Sequence, residues 1–261
     1  MPPFARVRPE HYAPAFKEAL SQHRAEIATI GANPDRPTFA NTVVAMEKSG
    51  KHLNRVAEVF FNLTSADTSA ALQAIERDMA PVLADHQNSI YLDQRLYRRI
   101  ADLYDRRDRL KLDPEALRLL ERTHTAFVRA GAALDARSRK RVAEINMRLA
   151  ELVTTFNQNV LPDEQSWRLA LDGEADLAGL PEGLRAAAAR TAQDLKSPAK
   201  YVITLARSSI EPFLQFSARR DLREEAFKAW VRRGENGGKT DNRKIVAEIV
   251  ALRAELARLM G

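Results

Sequence analysis

The chain contains five histidines, the side chains most often used to hold a catalytic zinc: His11, His23, His52, His86 and His124. A helical zinc-peptidase site needs two histidines one turn apart with a glutamate directly after the first, because both imidazoles must face one metal while the carboxylate reaches its water. No histidine here is followed by a glutamate, and the nearest two are twelve positions apart. The sequence therefore predicts no catalytic residue, no cofactor-binding residue and no metal ligand, and we expect the chain to be inactive alone.

A second metal motif is present only in part. Glu121 and His124 have the Glu-x-x-His spacing of a di-iron carboxylate site. Such a site also needs a second Glu-x-x-His and two further glutamates that face inward. No second copy occurs in the chain, so we interpret Glu121 and His124 as a helix-surface pair.

The segment Gly234–Thr240 ends in Gly-Lys-Thr after an earlier glycine, as a phosphate-binding loop does. That loop needs four residues between its glycines and follows a buried strand. Here three residues separate the glycines, and Phe227 and Trp230 indicate an amphipathic helix before them. We interpret the segment as a glycine turn that ends one helix, with Asp241 capping the next.

Covalent catalysis has no candidate residue either. The chain has no cysteine, and no serine lies in a G-x-S-x-G elbow. The acid pair Glu224 and Glu225 belongs to a charged helix face. His23 and His86 fall on or beside apolar stripes, where a hydrogen-bonded structural histidine is the expected role.

Composition indicates a helical protein with a sizeable core. The 261 residues are 45% hydrophobic, with only 10 glycines and 12 prolines. No apolar run approaches the ~20 residues that cross a bilayer. The N-terminus has no apolar signal core, which predicts a cytoplasmic location, or a periplasmic one if an upstream signal peptide has been removed.

The net charge of +6 does not indicate a nucleic-acid partner. The basic residues between Arg95 and Lys111 are interleaved with apolar residues at helical spacing, as on solvated helix faces. A nucleic-acid footprint is a one-sided basic stripe, usually with stacking aromatic residues. We therefore expect neither nucleic acid nor membrane as a partner.

The first 160 residues have the apolar periodicity of consecutive helices. Phe16, Leu20 and Ile27 form one helical stripe. Thr38 is placed to cap a helix that we expect to continue to Leu63, with a bend near Gly50.

The next helices have clear start and stop signals. Asp93 and Asp113 are each placed to cap a helix, the second with a proline at its first position. Gly131 is placed to end the helix that Asp113 starts, and Pro81 predicts a kink in the helix before Asp93.

Two short alternating runs, residues 167–171 and 201–205, predict strands that flank one helix around Pro181–Ala192. We expect helix to return at about Ser217. The predicted fold class is mainly α, a multi-helix domain with a small α/β insertion. We divide the chain into an N-terminal helical region (1–160), the insertion (161–217), and a helical segment (218–261) that leads toward a missing catalytic domain.

Several segments together resemble the thimet oligopeptidase family of zinc peptidases, in the order in which that family has them. None is a catalytic motif, but together they cover essentially the whole chain. They are Pro2–Phe4, His11–Phe16, Pro37–Gly50, Val59–Ala66, Leu112–Arg122, Phe127–Gly131, Arg219–Arg223 and Ile249–Glu255.

The resemblance implies an almost entirely helical protein whose two halves enclose a deep channel. In that family a zinc is bound by the histidines of H-E-x-x-H and a downstream glutamate, and peptidyl-dipeptidases of this kind release C-terminal dipeptides from short peptides. All those residues lie C-terminal to the region represented here, so none transfers to this sequence.

We therefore expect this chain to be the N-terminal, channel-wall part of such an enzyme, with zinc and short peptide substrates only in the complete protein. It would pack against the missing catalytic half, and its exposed apolar surface would favour self-association when alone. The alternative is a stand-alone, non-catalytic helical module that binds peptides or proteins.

Overall fold

The computed structural model describes Pro2 and residues 4–261; Met1 and Pro3, which fall in segments cited above, lie outside the described residues. Helices dominate the first part of the chain. They are α1 (Tyr12–Ala32), a π-helical turn (Ala40–Val44) continued by α2 (Ala45–Lys48), α3 (Lys51–Ala66), α4 (Ala70–Tyr91), α5 (Gln94–Asp105), α6 (Pro114–Ala130) and α7 (Ala136–Ser166).

The helix boundaries follow the capping residues of the sequence. The Asp93 carboxylate accepts the backbone N–H groups of Arg95 and Leu96 at 2.8 Å, and Asp113 accepts that of Ala116 at 2.8 Å. These bonds satisfy amides that have no partner within the helix. Gly131 ends α6 with a φ of 100°. The predicted starts of α5 and α6 and the end of α6 are confirmed.

One helix with a bend was predicted from Thr38 to Leu63. The prediction is wrong in one respect, because this segment forms two separate helices. Thr38 Oγ1 accepts the Asn41 N–H at 3.0 Å, as a cap does. The helix ends at Lys48, and Gly50 takes a φ of 69° before α3 begins. Glycine adopts this left-handed conformation at the least cost, which favours a break at this position.

Buried aromatic residues pack α1 against α3. The Phe60 ring lies 5.0 Å from the Tyr12 ring and 5.3 Å from the Phe16 ring, both in edge-on geometry. A separate cluster joins Ile100 of α5 to Phe127 of α6. Phe16 belongs to the helical stripe of the sequence, whose other members Leu20 and Ile27 are also buried, so the stripe identifies part of the core.

The later part contains β1 (Arg168–Leu171), α8 (Glu182–Asp194), β2 (Tyr201–Thr204), α9 (Arg207–Phe216), α10 (Arg220–Val231) and α11 (Arg243–Met260). The two strands pair antiparallel, with Arg168 opposite Thr204. The mainly α fold with a small insertion of two strands flanking a helix is confirmed. Two boundaries differ: α7 continues through Pro162 to Ser166, and helix returns at Arg207, before the expected Ser217.

The chain divides into two compact units. One comprises Met1–Thr154 with Ile249–Gly261, and the other comprises Thr155–Glu248. The three-segment division made from the sequence stays a prediction. None of the described helices has both the length and the apolar content needed to cross a bilayer.

Candidate functional site

Two of the five histidines come together in the first unit. His86 of α4 and His23 of α1 are joined by a 2.9 Å hydrogen bond between His86 Nε2 and His23 Nδ1. The other His23 nitrogen, Nε2, lies 3.2 Å from Ser49 Oγ, and that hydroxyl lies 2.7 Å from the carbonyl oxygen of Met46. The expectation that His23 and His86 are hydrogen-bonded structural histidines is confirmed. Sequence reasoning missed that they bond to each other, because 63 residues separate them.

The chemistry of the partners assigns the direction of each bond. A carbonyl oxygen only accepts, so the Ser49 hydroxyl donates to Met46 and accepts from His23 Nε2–H. His23 Nδ1 then has only a lone pair, and His86 Nε2–H donates to it. The remaining nitrogen, His86 Nδ1, is buried and has no hydrogen-bond partner among the described residues. This assignment describes both rings in their neutral form.

Burial favours the same protonation states. The side chain of His86 is 3% exposed, and burial lowers its pKa to about 4, with a further lowering from the neighbouring His23 and Arg24. Asp85 opposes that shift. Burial also lowers the pKa of His23, against a raising effect of Glu26. A charged imidazole loses hydration in such a place and gains no carboxylate bond in return.

The histidine pair does not fit a catalytic zinc. Catalytic zinc sites in proteins use three side-chain ligands and keep one open position. In the pair, one proton lies between His86 Nε2 and His23 Nδ1. A metal bound there would need a lone pair on each of these nitrogens. Over Pro2 and residues 4–261, no three His, Cys, Asp or Glu side chains form a group that could hold a metal. The donor set of the described residues therefore does not suit a catalytic zinc.

Two further histidines, His11 and His52, line a groove of about 720 Å³ beside α1 and α3. His11 Nδ1 accepts the Arg8 N–H at 3.2 Å, and His52 Nδ1 donates to Gln22 Oε1 at 2.8 Å. Both rings are thus bonded to their own chain. Most of the other lining residues are apolar: Pro2, Val7, Tyr12, Ala15, Val56 and Val59, with Arg55 and Glu58. The lining of this groove is therefore mainly apolar.

The fifth histidine, His124, stacks on aromatic rings. Its ring centroid lies 3.9 Å from that of Tyr104 with the planes 5° apart, and 6.1 Å from that of Tyr97. Burial lowers the pKa of His124. Glu121 forms its ion pair with Arg118, at 3.2 Å. Glu121 and His124 therefore interact with different neighbours, which corrects their interpretation as a pair.

The glycine turn before α11 is filled by a carboxylate of its own chain. Asp163 accepts bonds from the Gly234 N–H at 2.7 Å, from Asn236 Nδ2 at 3.0 Å and from the Thr240 hydroxyl at 3.2 Å. A phosphate would need these same donors and would be repelled by the carboxylate. Asp241 accepts the Arg243 N–H at 2.9 Å at the start of α11. The interpretation as a glycine turn followed by a cap at Asp241 is confirmed.

Large apolar side chains are exposed on α10 and α11. Phe227 and Val231 lie one turn apart on α10 and are 51% and 57% exposed. Val246 and Val250 lie one turn apart on α11 and are 44% and 61% exposed. No side chain of α11 is buried, although the helix is rich in Ile, Leu and Val. Residues four apart share one helix face, so each pair forms an apolar strip.

Comparison with known proteins gives the family. The chain matches no protein-family model. Over its whole length it is 38% identical to dipeptidyl carboxypeptidase of Escherichia coli (strain K12). It is also 31% identical to oligopeptidase A of the same organism, and 28% identical to the chloroplastic/mitochondrial organellar oligopeptidase A of Arabidopsis thaliana.

These relatives are much longer than this chain. It spans 38% of the length of the Escherichia coli dipeptidyl carboxypeptidase and 39% of that of oligopeptidase A. Each match covers 100% of the chain, so both compact units take part in it. The chain belongs to the thimet oligopeptidase family of peptidases, and it corresponds to a part of such a protein.

Proposed function

We propose that this chain is the N-terminal, non-catalytic part of a zinc-dependent peptidyl-dipeptidase or oligopeptidase. The observation that carries the proposal is its full-length identity of 38% to dipeptidyl carboxypeptidase, of which it spans 38%. In the complete protein, another part would supply the H-E-x-x-H motif, the zinc and the activated water. That protein would release C-terminal dipeptides from short peptides.

The role of this chain in that protein is architectural. It would form one wall of the substrate channel and limit entry to short, flexible peptides. The exposed apolar strips on α10 and α11 support this role, because strips of this kind are normally covered by a partner surface. The partner that we propose is the catalytic part of the same protein.

The first test measures zinc and hydrolysis with the purified chain. We expect no stoichiometric zinc by atomic emission, and no dipeptide release from a short peptide by mass spectrometry. The Escherichia coli dipeptidyl carboxypeptidase, assayed in parallel, is the positive control. One zinc per chain together with peptide hydrolysis would contradict the proposal.

The gene itself separates the two candidate functions. A reading frame that continues past the codon of Gly261 and contains H-E-x-x-H would support the peptidase. A stop codon directly after Gly261 would favour the stand-alone interaction module instead.

The exposed strips predict self-association of the isolated chain. We expect an oligomer fraction that rises with concentration in light scattering, and binding of an apolar dye. Val250→Glu should reduce both, because it places a charge on the α11 strip. Val82→Glu is the matched control, since Val82 is 39% exposed on α4, away from these strips in the sequence. A monomer at every concentration, without dye binding, would contradict the prediction.

A further inference from the structure

We infer that His23, His86 and Ser49 form an acid-sensitive latch, which holds α1, α4 and the turn between α2 and α3 together at neutral pH and weakens when protonated. The inference does not depend on the proposed function. It rests on the geometry of three side chains that come from three separate segments.

An additional proton disturbs the latch wherever it is placed. If His23 gains a proton at Nδ1, either this N–H opposes the Nε2–H of His86 across 2.9 Å, or His86 moves its own proton to the buried Nδ1. If His86 gains a proton, it goes to Nδ1, which is buried without an acceptor among the described residues. Either event breaks a bond of the latch or leaves a buried donor unsatisfied, and both outcomes favour separation of the rings.

The charged groups around the rings compensate an added charge only in part, because burial has the larger effect. On α1 these groups are Arg24 and Glu26, and on α4 the group is Asp85. Arg24 and Asp85 form an exposed ion pair with each other at 3.2 Å. Their effects on the pKa of His86 therefore oppose each other. The Glu26 carboxylate accepts the Gly50 N–H at 2.7 Å, which holds it at the turn.

The remaining neighbouring segments add one acid, the exposed Glu47 of α2, which is not among the groups that shift the pKa of either ring. Lys48 and Lys51, on either side of the turn, are exposed and positively charged. From α7, the Asn146 amide bonds to Asn88 of α4 at 2.9 Å, and both of these groups are uncharged. No acid therefore bonds directly to either imidazole in the part of the chain that is described.

Gly50 leaves His23 little freedom to move. A Cβ at this position would lie 2.8 Å from His23 Cε1, so the ring packs directly on the glycine backbone. When the two rings separate, His23 cannot shift toward the turn without displacing it. We therefore expect protonation to loosen the turn at Ser49 and Gly50, together with the contact between α1 and α4.

The sign of the pH effect follows from the lowered pKa values. Above the ordinary histidine pKa of about 6.5, folded and unfolded chains both hold neutral rings, and pH has no effect through the latch. Below it, the unfolded chain takes up protons that the folded chain does not, so stability falls until the pH reaches the folded pKa of His86, about 4. Between these limits the folding equilibrium constant falls by up to about tenfold per pH unit.

The decisive measurement on the unmodified chain is the titration of each imidazole by ¹⁵N-detected NMR. At pH 5.5 we expect His86, whose pKa is lowered to about 4, to give neutral-ring signals, and we expect His23 to titrate below the ordinary histidine pKa. Protonation of both His23 and His86 at that pH, with the fold intact, would overturn the inference. This measurement needs no variant.

Denaturation of variants gives the second measurement. The double variant His23→Gln/His86→Gln keeps amide donors and acceptors but cannot titrate. From pH 7 to pH 4.5 we expect the folding equilibrium constant of the unmodified chain to fall about 10- to 100-fold more than that of the double variant. His52→Gln, the control at an exposed histidine, should keep the full acid sensitivity. Equal acid sensitivity in the double variant and the unmodified chain would overturn the latch.

Discussion

Replacing Arg99 by methionine is expected to lower the free energy of unfolding by about 3 kcal/mol. Arg99 of α5 is 7% exposed, and its guanidinium binds the loop between α1 and α2. It donates to the carbonyl oxygens of Asn33 at 2.7 Å and Asp35 at 3.1 Å, and to Asn41 Oδ1 at 3.0 Å. Bonds from a charged donor are stronger than neutral ones, and methionine would replace none of them.

The neighbouring Arg98 offers a matched control. It lies on the same helix, is exposed, and among the described residues donates to the carbonyl oxygen of Gln94, at 3.0 Å. Arg98→Met should therefore change the unfolding free energy by less than about 0.5 kcal/mol. Urea denaturation measures both variants, and hydrogen exchange of residues 33–41 reports on the loop itself. Equal stability of the two variants would refute the assigned role of Arg99.

Gly179→Ala is expected to destabilise the chain by about 3 kcal/mol or more. The glycine has a φ of 82°, which is unfavourable for alanine. An added Cβ would lie 2.3 Å from the carbonyl oxygen of Phe216 and 2.9 Å from the backbone nitrogen of Ala218. Both are backbone atoms next to the bond from Ala218 N–H to the Ala178 carbonyl, 2.8 Å long. No side-chain rotation can relieve this overlap, so the backbone must move.

Gly183→Ala is the matched control for this substitution. Gly183 lies in the first turn of α8, and an added Cβ would meet nothing within 4 Å. Alanine has the higher helix propensity, so this variant should be neutral or more stable by up to about 1 kcal/mol. Thermal unfolding of a chain this long shifts by ~2–4 °C per kcal/mol, so the two variants should be clearly separated. If Gly179→Ala and Gly183→Ala unfold at the same temperature, this result would contradict the close approach of the backbone to Gly179.

Much of the fold could be predicted because helix signals are local. The carboxylates of Asp93 and Asp113 reach amides two or three residues away, and the stripe of Phe16 and Leu20 repeats within one helix. Boundaries that depend on tertiary contacts were predicted less well. The N-terminal helical region was expected to end at residue 160, but α7 continues through Pro162 to Ser166.

The candidate site shows the same contrast. Searching for H-E-x-x-H tests only neighbouring positions, and its absence says nothing about residues far apart in the chain. His23 and His86 form one hydrogen bond across 63 residues, and nothing in their local sequence signals it. The Glu121–His124 spacing, in contrast, suggested a pair, and each residue found a different partner.

By itself, the sequence determined the helical class, the starts of several helices and the family to which the chain is similar. Those properties follow from capping, periodicity and residue order, which act within a few turns or along the chain. The tertiary structure decided which histidines meet, which loop Arg99 binds and where a glycine is indispensable. Each of these depends on the distance between segments that only the packing of the whole core brings together.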